Sequence, residues 1–226
     1  MYDAKLPDGY ELVDIDGVDL DADEPDRSWE VIDDSLVSVL RQETRFGLAK
    51  GSVSPVSTGD PGRAGFDVPL ICVLHAHPES DVRWARLVVD FAPTVGATVE
   101  DMSPQTITGT TPIEVQTTVG VGLSFSALSS AVDAKLNPEI TRKKTVYFPE
   151  LTSSGPGFHQ AYWTFMAGNQ PTVHVDRELR LLVSAPAAQP LYAAFTLRAK
   201  IAPKGVARLL PFVARVGKAG RTYRLT

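Results

Sequence analysis

The sequence lacks the features that mark a secreted or membrane-spanning protein. One cysteine in 226 residues excludes an internal disulfide and a cysteine-based zinc site, so nothing requires an oxidising compartment. The longest apolar run, Val68 to Leu74, is far shorter than the roughly 20 residues that cross a bilayer as a helix. The N-terminal residues carry charges where a signal peptide has its apolar core. These absences predict a cytoplasmic protein and argue against a membrane partner.

Motifs for catalysis are also missing. The stretch Gly120 to Ser124 does not have the spacing of a serine nucleophile elbow. Gly155-Pro156-Gly157 is no phosphate cradle, because proline has no N–H to donate and no helix pattern follows. Cys72 lies within an apolar run, where burial raises the pKa of a thiol and hides it. The sequence therefore predicts no catalytic residue, no cofactor and, on balance, no enzyme.

Acidic residues are absent from the C-terminal part of the chain. Residues 1–34 contain thirteen acidic and two basic residues, whereas nine basic residues and no acidic one follow Glu178. Opposite charges at the two ends attract each other, within one chain or between copies. A pI of about 5.4 and the lack of an aromatic-basic motif argue against nucleic acid as a partner.

The charge distribution suggests where a partner would bind. We expect an acidic N-terminal arm at residues 1–28 and a β-sandwich domain at residues 29–226. The main functional prediction is a non-catalytic protein that binds a protein partner or assembles with itself through these charged ends. The candidate contact residues are Asp19, Asp21, Asp23, Arg198, Lys200, Arg208, Arg215 and Arg221.

Alternating apolar and polar residues are abundant, and they predict an all-β fold. Short alternating segments separated by turn residues, with little helical periodicity, are typical of an antiparallel β-sandwich, here of about ten strands. Residues 68–75 and 82–91 are predicted to pair as a hairpin. Prolines break the pattern between residues 94 and 112, so if the sandwich has two lobes, the seam falls at 104–112.

Aromatic residues are concentrated in one stretch, which we expect to anchor the core. Six of the 18 aromatic residues fall between positions 147 and 165, and a large ring requires about 150–250 Å² of burial. They are Tyr147, Phe148, Phe158, Tyr162, Trp163 and Phe165. The run from Ser153 to Gly157 predicts a tight turn between two strands of this stretch.

One pair of histidines is a candidate metal site. In a strand, residues two apart share a face, so His75 and His77 are spaced to bind one ion. Such a site would make the protein a metal-assisted hydrolase, which is the first alternative function. Two histidines near a strand end more often form ordinary hydrogen bonds.

The second alternative is a pore-forming protein. In residues 115–127, apolar residues at odd positions alternate with small or hydroxylated residues at even positions. A turn at 128–131 leads to a second alternating segment that begins at Val132. A helix over 126–136 also fits the apolar spacing, but the flanking pattern favours strands. A hairpin at 115–137 with one continuous apolar face would suit insertion into lipid.

Overall fold

The computed structural model describes residues 9–13, 15–20, 45–75, 78, 80–118, 122–126, 141–168, 170, 172–203, 210–216 and 222–226. All regular elements in these ranges are strands: β1 (Glu11–Val13), β2 (Ile15–Leu20), β3 (Arg45–Lys50), β4 (Ser54–Val56), β5 (Arg63–His75), β6 (Ser80–Asp90), β7 (Thr98–Ser103), β8 (Thr106–Thr118), β9 (Gly122–Ser126), β10 (Thr141–Ser154), β11 (Gln160–Met166), β12 (Val175–Pro186), β13 (Tyr192–Pro203), β14 (Leu210–Val216) and β15 (Tyr223–Arg224). These ranges contain no helix that could cross a membrane.

The strands form two antiparallel sheets that pack together, which confirms the predicted β-sandwich. The six-stranded sheet has the order β1-β3-β5-β12-β7, with β4 paired to β5. The nine-stranded sheet has the order β2-β14-β13-β6-β11-β10-β8-β9, with β15 paired to β13. The alternating pattern dictates this packing, because each strand with one apolar face must bury it against the opposite layer.

The core lies between β5 and β12 of one sheet and β6, β11 and β13 of the other. Trp163 is fully buried there, and its indole Nε1–H donates a hydrogen bond to the Pro104 carbonyl at 3.0 Å. Cys72 is also buried, as predicted, and burial raises the pKa of its thiol to about 12.

The prediction that residues 68–75 and 82–91 pair as a hairpin is wrong. The first segment belongs to β5 in the six-stranded sheet, and the second to β6 in the nine-stranded sheet. Alternation shows that each strand has a core face, but two such faces can meet across the core instead of pairing edge to edge. The connection therefore crosses between the layers.

The aromatic stretch is only partly core. The predicted turn is confirmed, because residues after Ser154 return the chain from β10 to β11. Trp163 and Phe165 are buried, whereas Tyr147, Phe148 and Phe158 are exposed. The core prediction is wrong for these three rings, because they lie at the end of the two-layer region or outside it.

The N-terminal segment contributes strands to both sheets. β1 pairs with β3, and β2 pairs with β14, so the acidic segment lies beside the basic one in the same chain. The proposed boundary at residue 28 and the lobe seam at 104–112 stay predictions. The chain passes from β7 to β8, and so from one sheet to the other, at residues 104 and 105.

Candidate functional site

β8 and β10 run beyond β11 as an antiparallel pair, and the short strand β9 pairs with the other edge of β8 at residues 114–118. β8 and β10 pair from Thr118 opposite Thr141 to Thr106 opposite Thr152. β11 pairs with β10 only from Leu151 to Ser154, so residues 141–150 have β8 as their strand partner among the described residues. We call residues 107–118 and 141–150 the ribbon. Ten residues of strand make it about 33 Å long.

Two aromatic side chains near the base of the ribbon are exposed. Tyr147 and Phe148 are adjacent in β10, where its pairing with β8 becomes irregular. Tyr147 is 51% exposed and Phe148 is 41% exposed. The rest of the described chain therefore covers these two rings only in part.

The pairing is irregular where the ribbon joins the sandwich. The register shifts between Tyr147 and Pro149, and again between Pro149 and Leu151. The two strands also approach closely here, because a side chain at Gly109 would lie 3.2 Å from the Phe148 carbonyl oxygen. Such bulges bend a strand pair, so the ribbon leaves the sheet at a defined point.

β9 folds back along β8 instead of extending it. Gly122 is opposite Thr118 and Ser126 is opposite Glu114. The prediction of one continuous strand over residues 115–127 is therefore wrong for this conformation. The second predicted strand, with the turn at 128–131, lies outside the described residues.

On the outer face of the nine-stranded sheet, Arg86 contacts two aromatic rings. The Arg86 guanidinium lies 5.2 Å from the Trp84 ring centre and 4.6 Å from the Tyr162 ring centre. Arg86 Nε also donates to Thr164 Oγ1 at 3.0 Å. Sequence analysis did not identify this cluster, although Trp84 and Arg86 are two apart in a predicted strand, a spacing that suits cation–π contact.

The structure describes four of the eight candidate contact residues, two in the β2–β14 pair and two in β13. The backbone of Asp19 pairs with Val213, and that of Arg215 pairs with Asp16, so both positions lie within the β2–β14 pair of one chain. Arg198 is exposed, and it lies directly opposite Arg86 in the sheet. Lys200 is half-buried on the same strand. The other four candidates, which lie outside the described residues, are Asp21, Asp23, Arg208 and Arg221.

The predicted metal pair is only half described. His75 is exposed at the end of β5, and its ring centre is 6.4 Å from that of His174. His77 lies outside the described residues. The part of the chain that the structure describes contains no cluster of three or more side chains suited to a metal ion. Metal binding at His75 and His77 stays a prediction.

Comparison with known proteins gives no relative by sequence and distant likenesses by structure. No protein-family model matches the chain, and no curated protein matches it. One similar solved structure is the Clostridium perfringens delta-toxin, with a TM-score of 0.37, 9% identity, and coverage of 76% of this chain and 86% of that chain. Another is the Clostridium perfringens NetB toxin in the membrane inserted form, with a TM-score of 0.35, 8% identity, and coverage of 80% and 87%. Similarity this distant carries no inference about activity.

Proposed function

We propose that the protein forms pores, by extending the ribbon into a longer hairpin that enters a lipid bilayer together with hairpins of other copies. This departs from the expectation of a cytoplasmic protein that avoids membranes. The proposal rests on one observation, which is the register of β8 against β10 and where that register leads.

The β8–β10 register predicts the position of a hairpin turn. Thr118 is opposite Thr141 and Thr117 is opposite Arg142, so each step forward along β8 matches one step back along β10. Continued beyond Thr118, the same register pairs residues 119–127 with residues 132–140. Four residues, 128–131, remain for the turn. The alternation of the sequence places a turn at the same four residues.

The continued register also sorts the side chains by polarity. Residues directly opposite each other in an antiparallel pair lie on the same face. One face would receive only apolar pairs: Val119–Ile140, Val121–Pro138, Leu123–Leu136, Phe125–Ala134 and Ala127–Val132. The other face would receive Gly120–Glu139, Gly122–Asn137, Ser124–Lys135 and Ser126–Asp133. Nine pairs match the 9–11 residues of a strand that crosses a bilayer.

Extension requires β9 to exchange partners. Residues 122–126 pair with residues 114–118 in the structure, whereas the extended hairpin pairs them with residues 133–137. The backbone hydrogen bonds lost from one pairing are replaced in the other. The gain is an apolar face that lipid can cover, so the extended form is favoured only at a membrane.

Pore formation also requires several copies. A single inserted hairpin would expose two rows of unpaired backbone groups to lipid, and each such group costs several kcal/mol. Pairing between neighbouring hairpins removes these edges. Self-assembly is therefore part of this proposal.

Release of a dye from liposomes tests the proposal with two neighbouring substitutions. Leu123→Arg places a charge on the proposed lipid face, which costs about 2–4 kcal/mol per copy near the bilayer centre. Ser124→Arg adds the same charge to the polar face. We expect the wild-type protein and Ser124→Arg to release the dye, and Leu123→Arg to be at least about tenfold slower. Absence of release by the wild-type protein, or equal rates for the two variants, would refute the proposal.

A second candidate function is protein binding through the exposed face of the nine-stranded sheet. Arg86 and Arg198 are directly opposed like charges, and within the described part of the chain neither is paired with a carboxylate. An acidic partner segment, including one from another copy, would relieve this repulsion. We expect light scattering to detect self-association that weakens as the salt concentration rises, since exposed charges are screened within about 8–10 Å. Arg198→Glu should abolish this self-association. A monomer at all salt concentrations would argue against self-assembly by this route.

A further inference from the structure

A cleft opens between the two sheets at the end of the sandwich from which the ribbon extends. Its volume is about 290 Å³, close to the lower limit for small-molecule sites, roughly 300 Å³. The buried side chains of Leu151, Phe165 and Val173 form part of its lining. The cleft is partly open, and it offers both apolar and polar lining to a small molecule.

One wall of the cleft is held in place by backbone hydrogen bonds. Residues 167–174 connect β11 to β12 and are fixed to β6 at both ends. Ala167 N donates to the Arg83 carbonyl at 3.3 Å, and Val173 N donates to the Val82 carbonyl at 2.6 Å. Thr172 Oγ1 accepts from Val82 N at 2.8 Å. This wall exists before any ligand binds, which lowers the entropic cost of binding.

The six-stranded sheet contributes an arginine to the cleft from an unusual position. Arg177 is opposite Cys72 in the β5–β12 pair and so shares the core-facing side of the sheet. Its neighbours on that side, Val175 and Leu179, are buried. Arg177 is nevertheless exposed, and it lines the cleft. A charge in a row of apolar core residues calls for a role other than packing.

The nine-stranded sheet contributes a carboxylate to the same cleft. Glu150 lies at the base of the ribbon and is half-buried. Among the described residues, neither Glu150 nor Arg177 forms an ion pair, with each other or with another side chain. Opposite charges thus line one cleft from opposite sheets without forming an ion pair with each other.

We propose that this cleft binds a small zwitterion with an apolar body, of the class of free amino acids with apolar side chains. The ligand's carboxylate is bound by Arg177, its ammonium group by Glu150, and its side chain by Leu151, Phe165 and Val173. A guanidinium presents a planar pair of donors that suits a carboxylate. This site does not depend on pore formation, because the ligand binds the folded protein in the absence of lipid.

Titration calorimetry with three related probes tests the assignment of each charge. The probes are phenylalanine, phenethylamine, which lacks the carboxylate, and 3-phenylpropanoate, which lacks the ammonium group. Leucine serves as a second zwitterion. We expect at least one of the two amino acids to bind saturably at one site per chain. Because a hydrogen bond to a charged group is typically worth a tenfold change or more, we expect the two truncated probes to bind at least about tenfold more weakly.

Three variants complete the experiment. Arg177→Gln and Glu150→Gln should each weaken zwitterion binding at least about tenfold, and Arg177→Gln should leave the affinity for phenethylamine unchanged. Arg198→Gln removes an equal charge from the exposed sheet face and should have no effect. Thermal melting verifies that each variant is folded. The proposal is overturned if neither amino acid binds saturably, if the truncated probes bind equally well, or if Arg198→Gln causes the same loss. No liposome is present, so these outcomes are separate from the test of pore formation.

Discussion

Trp163 meets the two requirements of a tryptophan in a core, which are burial of the ring and an acceptor for its N–H. The ring is fully buried, and the indole N–H has a backbone acceptor in the Pro104 carbonyl. This bond links β11 to the segment where the chain crosses between sheets. Trp163 therefore joins β11 to this segment through both packing and a hydrogen bond.

We expect Trp163→Phe to lower the free energy of unfolding by about 1–3 kcal/mol, because it leaves the Pro104 carbonyl without this donor. Urea denaturation measures the effect. Trp84→Phe is the matched control, since Trp84 is half-buried and its ring contact with Arg86 is worth about 0.5–1 kcal/mol. Equal losses for the two variants would show that the hydrogen bond to Pro104 adds nothing.

Cys72 makes stability dependent on pH in the alkaline range. Burial raises the pKa of its thiol from 9.0 to about 12. Below about pH 9 the thiol is protonated in both the folded and the unfolded chain, so its contribution to stability is complete. Above that pH only the unfolded chain loses the proton, and the free energy of unfolding falls by up to about 1.4 kcal/mol per pH unit.

We therefore expect urea titrations to show a loss of stability from pH 8 to pH 10 that is about 1 kcal/mol smaller in Cys72→Ala. The tyrosines whose pKa is also raised, Tyr10 and Tyr223, are present in both proteins and do not affect the difference. An identical pH dependence in Cys72→Ala would mean that the thiol ionises equally in the folded state.

At the scale of elements, the proposed function depends on β9 changing its pairing partner. In the structure Leu123 is opposite Thr117, and in the extended hairpin it would be opposite Leu136. Thr117 is also opposite Arg142, a pairing that both conformations keep. Cysteines placed at these positions can therefore hold one pairing while leaving the other free.

A disulfide between Thr117→Cys and Leu123→Cys should block dye release from liposomes, and reduction should restore it. A disulfide between Thr117→Cys and Arg142→Cys should allow release before and after reduction. Cys72 does not interfere, because it is buried with a raised thiol pKa. If both oxidised proteins release dye at the wild-type rate, β9 does not need to leave β8.

At the scale of the whole molecule, the charged ends and the ribbon have different roles. β2 and β14 place the acidic and basic segments side by side at one edge of the nine-stranded sheet. The two oppositely charged segments thus lie beside each other within one chain. The ribbon, by contrast, has residues 141–150 paired on one side only among the described strands, which leaves an edge for another copy.

Because a lone hairpin cannot satisfy its backbone in lipid, we expect the initial rate of dye release to rise more steeply than in proportion to protein concentration. Crosslinking should trap oligomers in liposomes. A strictly proportional rate with only monomers on the membrane would contradict assembly, even if release itself occurs.

The sequence alone determined the fold class, because alternation with period two permits only strands with one buried face. It also determined the burial of Cys72, the turn before β11, and the polarity pattern from which the pore proposal begins. Which strands pair could not be derived in the same way. Residues 68–75 and 82–91 carry equivalent patterns whether they are neighbours in one sheet or face each other across the core.

Only the tertiary structure decided the features that depend on residues distant in the sequence. Tyr147 and Phe148 are exposed because burial depends on whether another layer faces them, and no local pattern encodes that. Glu150 and Arg177 line one cleft because the two sheets meet there. The register of β8 against β10, on which the proposed hairpin rests, likewise joins segments that are distant in the sequence. The physical reason is that periodicity reports each residue's own environment, whereas pairing and packing depend on which distant segment supplies that environment.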